Sequence, residues 1–269
     1  MKNEKNIVAG LGEIGNPILK LLSKSGIVLG FDINSKLVNQ KEFQKYEKYD
    51  VKFLHICIPF TKRFNSNVLS LIKKFNPSIL VIHSTISPYT TKTLQNKLPI
   101  PVIYSSTRGV HKRMLSDLQK YTKFYALEKN APKKQWSSSE FSKLMKKSGV
   151  RTKQFSDPIT LELAKIVVDT SYYGWLINYA QISNLIAKKH NVNYDEMWSF
   201  ADEIQKYLGN RPKMFPGFIG GHCVIPNLSL INEDSLWEID KINNIYSKKV
   251  KDAKTIAKKY IKDKQSYDK

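Results

Sequence analysis

A cysteine just past paired glycines and a histidine, in Pro216-Gly217-Phe218-Ile219-Gly220-Gly221-His222-Cys223, is the stretch of sequence most suggestive of chemistry. Its composition makes it a loop that a backbone or ligand can approach closely, because glycine carries no side chain and reaches positive φ cheaply. A thiol held there has two readings: a nucleophile, or a small apolar filler under a turn. Upstream, Glu162, Lys165 and Asp169 fall at i, i+3 and i+7, and on an α-helix they project from about one face. Either these charges serve a site, or Lys165 and Asp169 form an ordinary surface pair. A third constellation is Gly10-Leu11-Gly12-Glu13-Ile14-Gly15, a G-x-G-x-x-G turn, with the acid Asp32 following at a distance. Glycines so spaced allow a tight turn, close approach of a pyrophosphate, and tight helix-strand packing.

The elements around these residues decide what they can reach. Asn6-Ile7-Val8-Ala9 reads as a buried strand entering the glycine turn, and a helix follows through Ile18, Leu19, Leu21 and Leu22. A second strand, Ile27 to Phe31, delivers Asp32. Strand, glycine turn, helix, strand and terminal acid make the dinucleotide fingerprint, with the helix N-terminus facing the phosphates. A carboxylate at Asp32 accepts from ribose hydroxyls and repels a 2′-phosphate, so NAD is expected over NADP.

Alternation continues through β-rich runs at 51–59, 79–83, 102–105, 124–127 and 150–155, with a helix over about 133–147. The pattern predicts an α/β doubly wound parallel sheet, an N-terminal Rossmann domain over residues 1–156. Ligands in such sheets sit at the carboxyl ends of the strands, which places Pro59, Ser84, Thr85, Ser106, Thr107 and Arg108 at the rim of the cleft. Cys57 falls in the third strand and reads as core. Asp157-Pro158 is a helix start, and the pattern runs to about His190, roughly 50 Å of helix. That helix is expected to be the spine of a smaller all-helical domain, residues 157–269, and of a homodimer interface. Further helices are predicted over about 194–208 and 233–262.

The chain has 269 residues, of which 41% are hydrophobic, enough for one large domain or two modest ones. It lacks an apolar run of the 18 or so residues a membrane span needs, and its start does not read as a signal peptide. Two cysteines in unlike contexts suit a reducing, cytoplasmic setting better than a disulfide framework. A net charge of +21 suits anionic partners, but the lysines are spread along the whole chain, so nucleic acid is not the expected one. No metal site is expected.

In this order the glycine turn with Asp32, Ile56-Cys57-Ile58-Pro59, His83-Ser84-Thr85-Ile86-Ser87-Pro88, Glu162-x-x-Lys165 and the Gly220-Gly221-His222-Cys223 loop resemble nucleotide-sugar dehydrogenases of the UDP-glucose/GDP-mannose type. The resemblance runs from Asn6 to about Pro226. It implies a Rossmann domain, a helical dimerisation domain and NAD-linked oxidation of an alcohol, with the cysteine capturing the aldehyde as a thiohemiacetal and then a thioester. On that resemblance Cys223 is the nucleophile, Lys165 stabilises the developing oxyanion, and Thr85 lies beside nicotinamide and substrate. Gly220, Gly221 and His222 are expected at the substrate.

The departures are specific. Asp169 stands where the family carries Asn, and Asn227 where it carries Asp, which moves negative charge toward Lys165 and suits that lysine to an electrostatic role. Ser106-Thr107 stands where the family has a Pro-Glu pair whose glutamate assists thioester hydrolysis. Arg108, His111 and Arg113 follow, either an anion clamp around the substrate or a solvated basic turn. The family continues into a further nucleotide-binding domain that this sequence does not include, so a smaller anionic hydroxy compound is as well suited as a sugar nucleotide. Two other readings stand beside this one: a two-electron dehydrogenase or reductase of the β-hydroxyacid kind, and an NAD-binding sensor without turnover.

Overall fold

The computed structural model describes residues 3–208, 216–220, 224–231, 234–253 and 255. Its contacts divide the chain into two units, Met1–Lys165 and Ile166–Lys269.

The first unit is built on seven strands: β1 (Glu4–Ala9), β2 (Val28–Phe31), β3 (Asp50–Ile56), β4 (Ile79–Ile82), β5 (Val102–Tyr104), β6 (Lys123–Leu127) and β7 (Thr152–Gln154). They lie in the order β2-β1-β3-β4-β5-β6-β7. β1 to β5 are mutually parallel, whereas β6 runs antiparallel to β5 and β7 parallel to β6. The expected doubly wound α/β sheet is present and mostly parallel, the one antiparallel pairing being β5 with β6. The central strands are apolar on both faces, as a sheet covered on both sides requires; Val8, Val81 and Ile103 on one face and Ile7, Leu54 and Leu80 on the other are fully buried.

One face packs under α1 (Gly15–Leu22), α5 (Met114–Lys120) and α6 (Lys134–Lys147), whose Ile18, Leu118 and Phe141 join Val8, Phe53, Val81 and Ile103. The other face meets α3 (Phe64–Phe75), α4 (Thr90–Gln95) and α7 (Pro158–Leu163) through Val68, Leu94 and Leu161. A short helix, α2 (Gln40–Lys45), lies between β2 and β3. In register, Ala9 pairs with Phe31 and Ile56, Ile56 with Ile82, and Ile82 with Tyr104. The residues that leave the carboxyl edge are therefore Gly10, Asp32, Cys57, His83 and Ser105.

α7 starts as its sequence dictates, with Pro158 in the first turn and Asp157 accepting from the Thr160 backbone N–H at 2.8 Å. The helix is not α throughout. Ala164–Ser171 is π-helical, and α8 (Tyr172–Lys189) follows. The hydroxyls of Thr170 and Ser171 both donate to the Ile166 carbonyl, and the Ser171 bond spans the five residues of a π turn. The one-face argument for Glu162, Lys165 and Asp169 assumed α geometry and fails beyond Leu163.

In the second unit α8 packs with α9 (Tyr194–Leu208) and α11 (Asp234–Lys249), and α10 (Ile225–Leu228) packs on α11. The closing helix predicted over 233–262 ends at Lys249; residues beyond 255 lie outside the described ones.

Candidate functional site: a glycine turn at the switch point of the sheet

Because β2 and β3 flank β1, the chain leaves β1 in one direction and returns on the other side, and the switch falls at the carboxyl ends of β1 and β3. Such a crevice is where open α/β sheets bind ligands. Here it is formed by the Gly10–Gly15 turn and the segment Cys57-Ile58-Pro59.

The turn is tight enough to dictate its residues. Gly10 has φ 92°, and a Cβ on it would lie 2.9 Å from the Cys57 carbonyl carbon and oxygen. A Cβ on Gly15 would stand 1.6 Å from the Gly10 oxygen, so this glycine lets α1 close on the turn. Gly12 faces open space, as a cradle for an approaching phosphate needs. Asp32, at the end of β2, accepts from the Leu11 N–H at 2.7 Å and the Asn34 N–H at 2.9 Å, which fixes its carboxylate beside the turn. Glycines, helix N-terminus and carboxylate fit the pyrophosphate and ribose of a dinucleotide. Leu11 is buried, Glu13 is exposed and Ile14 is half-buried in the same turn.

Cys57 is not a strand-interior residue as expected. It lies one residue past β3, keeps some exposed surface, and its Cβ is 3.3 Å from where a Cβ on Gly15 would be, directly beneath the turn. Burial pushes its thiol up to about 12, so it remains protonated near neutral pH. The Ser84 hydroxyl donates to the Ile58 carbonyl at 2.6 Å, tying the ends of β3 and β4 together; next to them in the chain, Thr85 is half-buried and Pro59 exposed.

After β5 the expected basic residues are each engaged. Arg108 donates to the Thr122 carbonyl at 2.6 Å and stacks over the Phe124 ring at 4.6 Å. His111 Nδ1 lies 2.9 Å from the Glu13 carboxylate, joining this segment to the glycine turn. Arg113 pairs with the buried Asp117, which also accepts from the Val110 N–H. Thr107 is buried, and its N–H donates to the His83 carbonyl at 3.2 Å.

Sequence reasoning missed a polar cluster on the α1 face of the sheet. His83 Nδ1 lies 3.1 Å from the Ser105 carbonyl, which can only accept, so His83 Nε2 is the acceptor from His55 Nδ1–H at 2.9 Å. Both rings are neutral: burial lowers His55 to about 3 and His83 well below its usual range. Lys123, at the start of the antiparallel β6, brings its ammonium to the same Ser105 carbonyl at 3.0 Å. The signal was present as one histidine inside an apolar strand, Phe-Leu-His-Ile-Cys, and one directly after another, Leu-Val-Ile-His.

Glu162 is fully buried and turned into the first unit, accepting from the Tyr89 N–H, the Thr91 N–H and the Thr91 hydroxyl at the start of α4. Lys165 is half-buried and closes the first unit, while Asp169 belongs to the second. In the second unit the Pro216–Gly220 segment is held by buried amides. Gln181 donates to the Gly217 carbonyl at 2.7 Å, and Asn243 both accepts from the Ile219 N–H and donates to its carbonyl. Asn227 is buried in α10, and Gly220 is exposed. Gly221, His222 and Cys223 lie outside the described residues.

A groove of about 420 Å³, lined in part by Lys5, Phe43, Tyr49 and Phe75, opens elsewhere, at the amino ends of the strands. Among the described residues no three His, Cys, Asp or Glu side chains gather as a metal site, and no helix is long and apolar enough to cross a membrane.

Fold and turn together define a Rossmann-type α/β protein with a dinucleotide-type glycine turn at its switch point and a helical C-terminal unit. No protein-family profile and no curated protein matches the chain. Solved structures do. The UDP-D-ManNAc dehydrogenase of Pyrococcus horikoshii is 19% identical with a TM-score of 0.71, over 90% of this chain and 68% of its own. An NDP-N-acetyl-D-galactosaminuronic acid dehydrogenase of Methanosarcina mazei Go1 is 16% identical with a TM-score of 0.64, over 91% of this chain and 66% of its own. The 3-hydroxyisobutyrate dehydrogenase of Mycobacterium tuberculosis, solved with L-serine, is 14% identical with a TM-score of 0.64, over 95% of this chain and 96% of its own. At such identities the likeness establishes the fold.

Proposed function

We propose that this chain is an NAD-dependent oxidoreductase acting on an alcohol carbon of an anionic substrate. The observation that carries the reading is the glycine turn at the β1/β3 switch point with Asp32 fixed beside it. Bound there, NAD would supply the hydride acceptor. The chain's own part is to cradle the pyrophosphate on the Gly10–Gly15 turn, receive the ribose hydroxyls at Asp32, and line the cleft with Pro59, Ser84 and Thr85. The net charge of +21 favours an anionic substrate, and that each of the three solved relatives is named a dehydrogenase supports the reaction class.

Two chemistries divide the reading. In the nucleotide-sugar kind Cys223 adds to the aldehyde and Lys165 steadies the oxyanion. In the β-hydroxyacid kind a single hydride transfer needs no thiol. NADH formation from sugar nucleotides and small hydroxy acids separates them. Loss in both Lys165→Ala and Cys223→Ser supports the thiol route, whereas loss in Lys165→Ala alone supports the hydroxyacid route. NAD binding with no turnover across the panel supports a sensor.

A further inference from the structure

Lys123 has no part in the chemistry proposed above, yet it is 6% exposed and its ammonium is fully committed. It donates to the Ser105 carbonyl at 3.0 Å, the Ser106 carbonyl at 3.1 Å and the Thr107 hydroxyl at 3.4 Å, three consecutive residues of the turn that leaves β5. Three bonds need three N–H donors, which an ammonium has and a neutral amine lacks. A dinucleotide lying across the switch point with its adenosine at Asp32 must send its other half over the ends of β3, β4 and β5, toward this turn.

We infer that Lys123 is the positioning residue for the nicotinamide end of the cleft: its charged form holds the Ser105–Thr107 turn, and dinucleotide binding there follows that charge. The inference rests on the NAD reading. The groups facing Lys123 are His55 and Cys57 from the β3 end, His83 from the β4 end, Arg108 beyond the turn, and Lys165 from the helical segment. None is a carboxylate. Burial lowers the amine to about 7, and the neighbouring cations push the same way; Cys57 would oppose them only as a thiolate, which its own high value rules out in this range. A small depression lined by Ser106, Arg108, Leu118, Tyr121, Thr122 and Lys123 adjoins the turn. The turn is thus set to change with pH where its lysine loses a donor.

Calorimetric titration of NADH and of ADP-ribose, which lacks the nicotinamide, tests this at about pH 6 and about pH 8.5. NADH is expected to bind about fivefold more weakly at the higher pH beyond any change shown by ADP-ribose. The His111–Glu13 pair lies at the glycine turn and acts on both ligands, so the difference between them reports Lys123. In Lys123→Met the difference is expected to vanish with weak NADH binding at both pH values, and in Lys123→Arg to vanish with tight binding. Equal pH dependence for the two ligands, or its survival in Lys123→Met, overturns the inference. Should Lys123→Met not fold, lysine ¹³C titration of the wild-type chain serves instead: NADH must raise the Lys123 midpoint and ADP-ribose must not. Failure of both ligands to bind overturns the NAD reading itself, and this inference with it.

Discussion

Glu162 shows how a residue singled out for chemistry can serve the fold. Its carboxylate takes two backbone N–H groups and a hydroxyl at the start of α4, and Tyr89, which supplies one of them, sits at φ 67°. Truncation to Ala would strand those donors in the core, and Glu162→Ala is expected to cost about 2–4 kcal/mol in denaturant unfolding. Burial raises the carboxyl to about 7 against the pull of its three donors. The folded chain then keeps a proton that the unfolded chain has lost between about pH 4.5 and pH 7, so this site's contribution to stability falls as pH rises through that window. Glu162→Gln should flatten that slope, and an unchanged slope would show that the donors win. Gly10, Gly15 and Asp32 were legible in the sequence because the local backbone admits little else. Lys123 was not, since one lysine among 44 basic residues carries no local mark, and only the antiparallel β6 brings it to the carboxyl edge.

At the scale of elements, all seven strands and the long C-terminal helices were legible from apolar runs and helical spacing. The reversal of β6 was not, because alternation does not encode strand direction. Nor was the π segment, because Thr170 and Ser171 can donate to a carbonyl one turn back in an α-helix as well as in a π turn. The amides of Asn178, Gln181 and Asn243 carry no local mark in the sequence, yet they are buried, and those of Gln181 and Asn243 hold the Pro216–Gly220 segment. On α8, Tyr172, Trp175, Tyr179, Ile182 and Ile186 are 38–63% exposed and spaced alternately by three and four residues. That is the spacing of a coiled-coil seam; Tyr179 meets Trp198 of α9 edge-on, the seam's side chains stay partly open among the described residues, and a second copy of this chain is the occupant we propose. Tyr179→Glu with Ile182→Glu should convert a dimer to a monomer in sedimentation equilibrium. A wild-type chain that sediments as a monomer removes the proposal.

For the whole molecule, the same fold spans about two thirds of the UDP-D-ManNAc dehydrogenase and nearly all of the hydroxyisobutyrate dehydrogenase. Architecture is therefore shared by enzymes of unlike substrates, and function has to be argued from the site. The glycine spacing placed a tight turn at the end of β1 in the first unit, where the structure has it; the motif-order resemblance added expected roles. It left the roles of Lys165, Asp169, Asn227 and Cys223 to experiment, because they lie beyond or at the end of that unit. The claim beneath every other is that the Gly10–Gly15 turn with Asp32 holds NAD. Calorimetric titration of NAD and NADP into the full chain and into Asp32→Ala measures it directly. The predicted result is one NAD bound per chain, weaker binding of NADP, and loss of that preference in Asp32→Ala; no binding of NAD, or an unchanged preference in the variant, would contradict it.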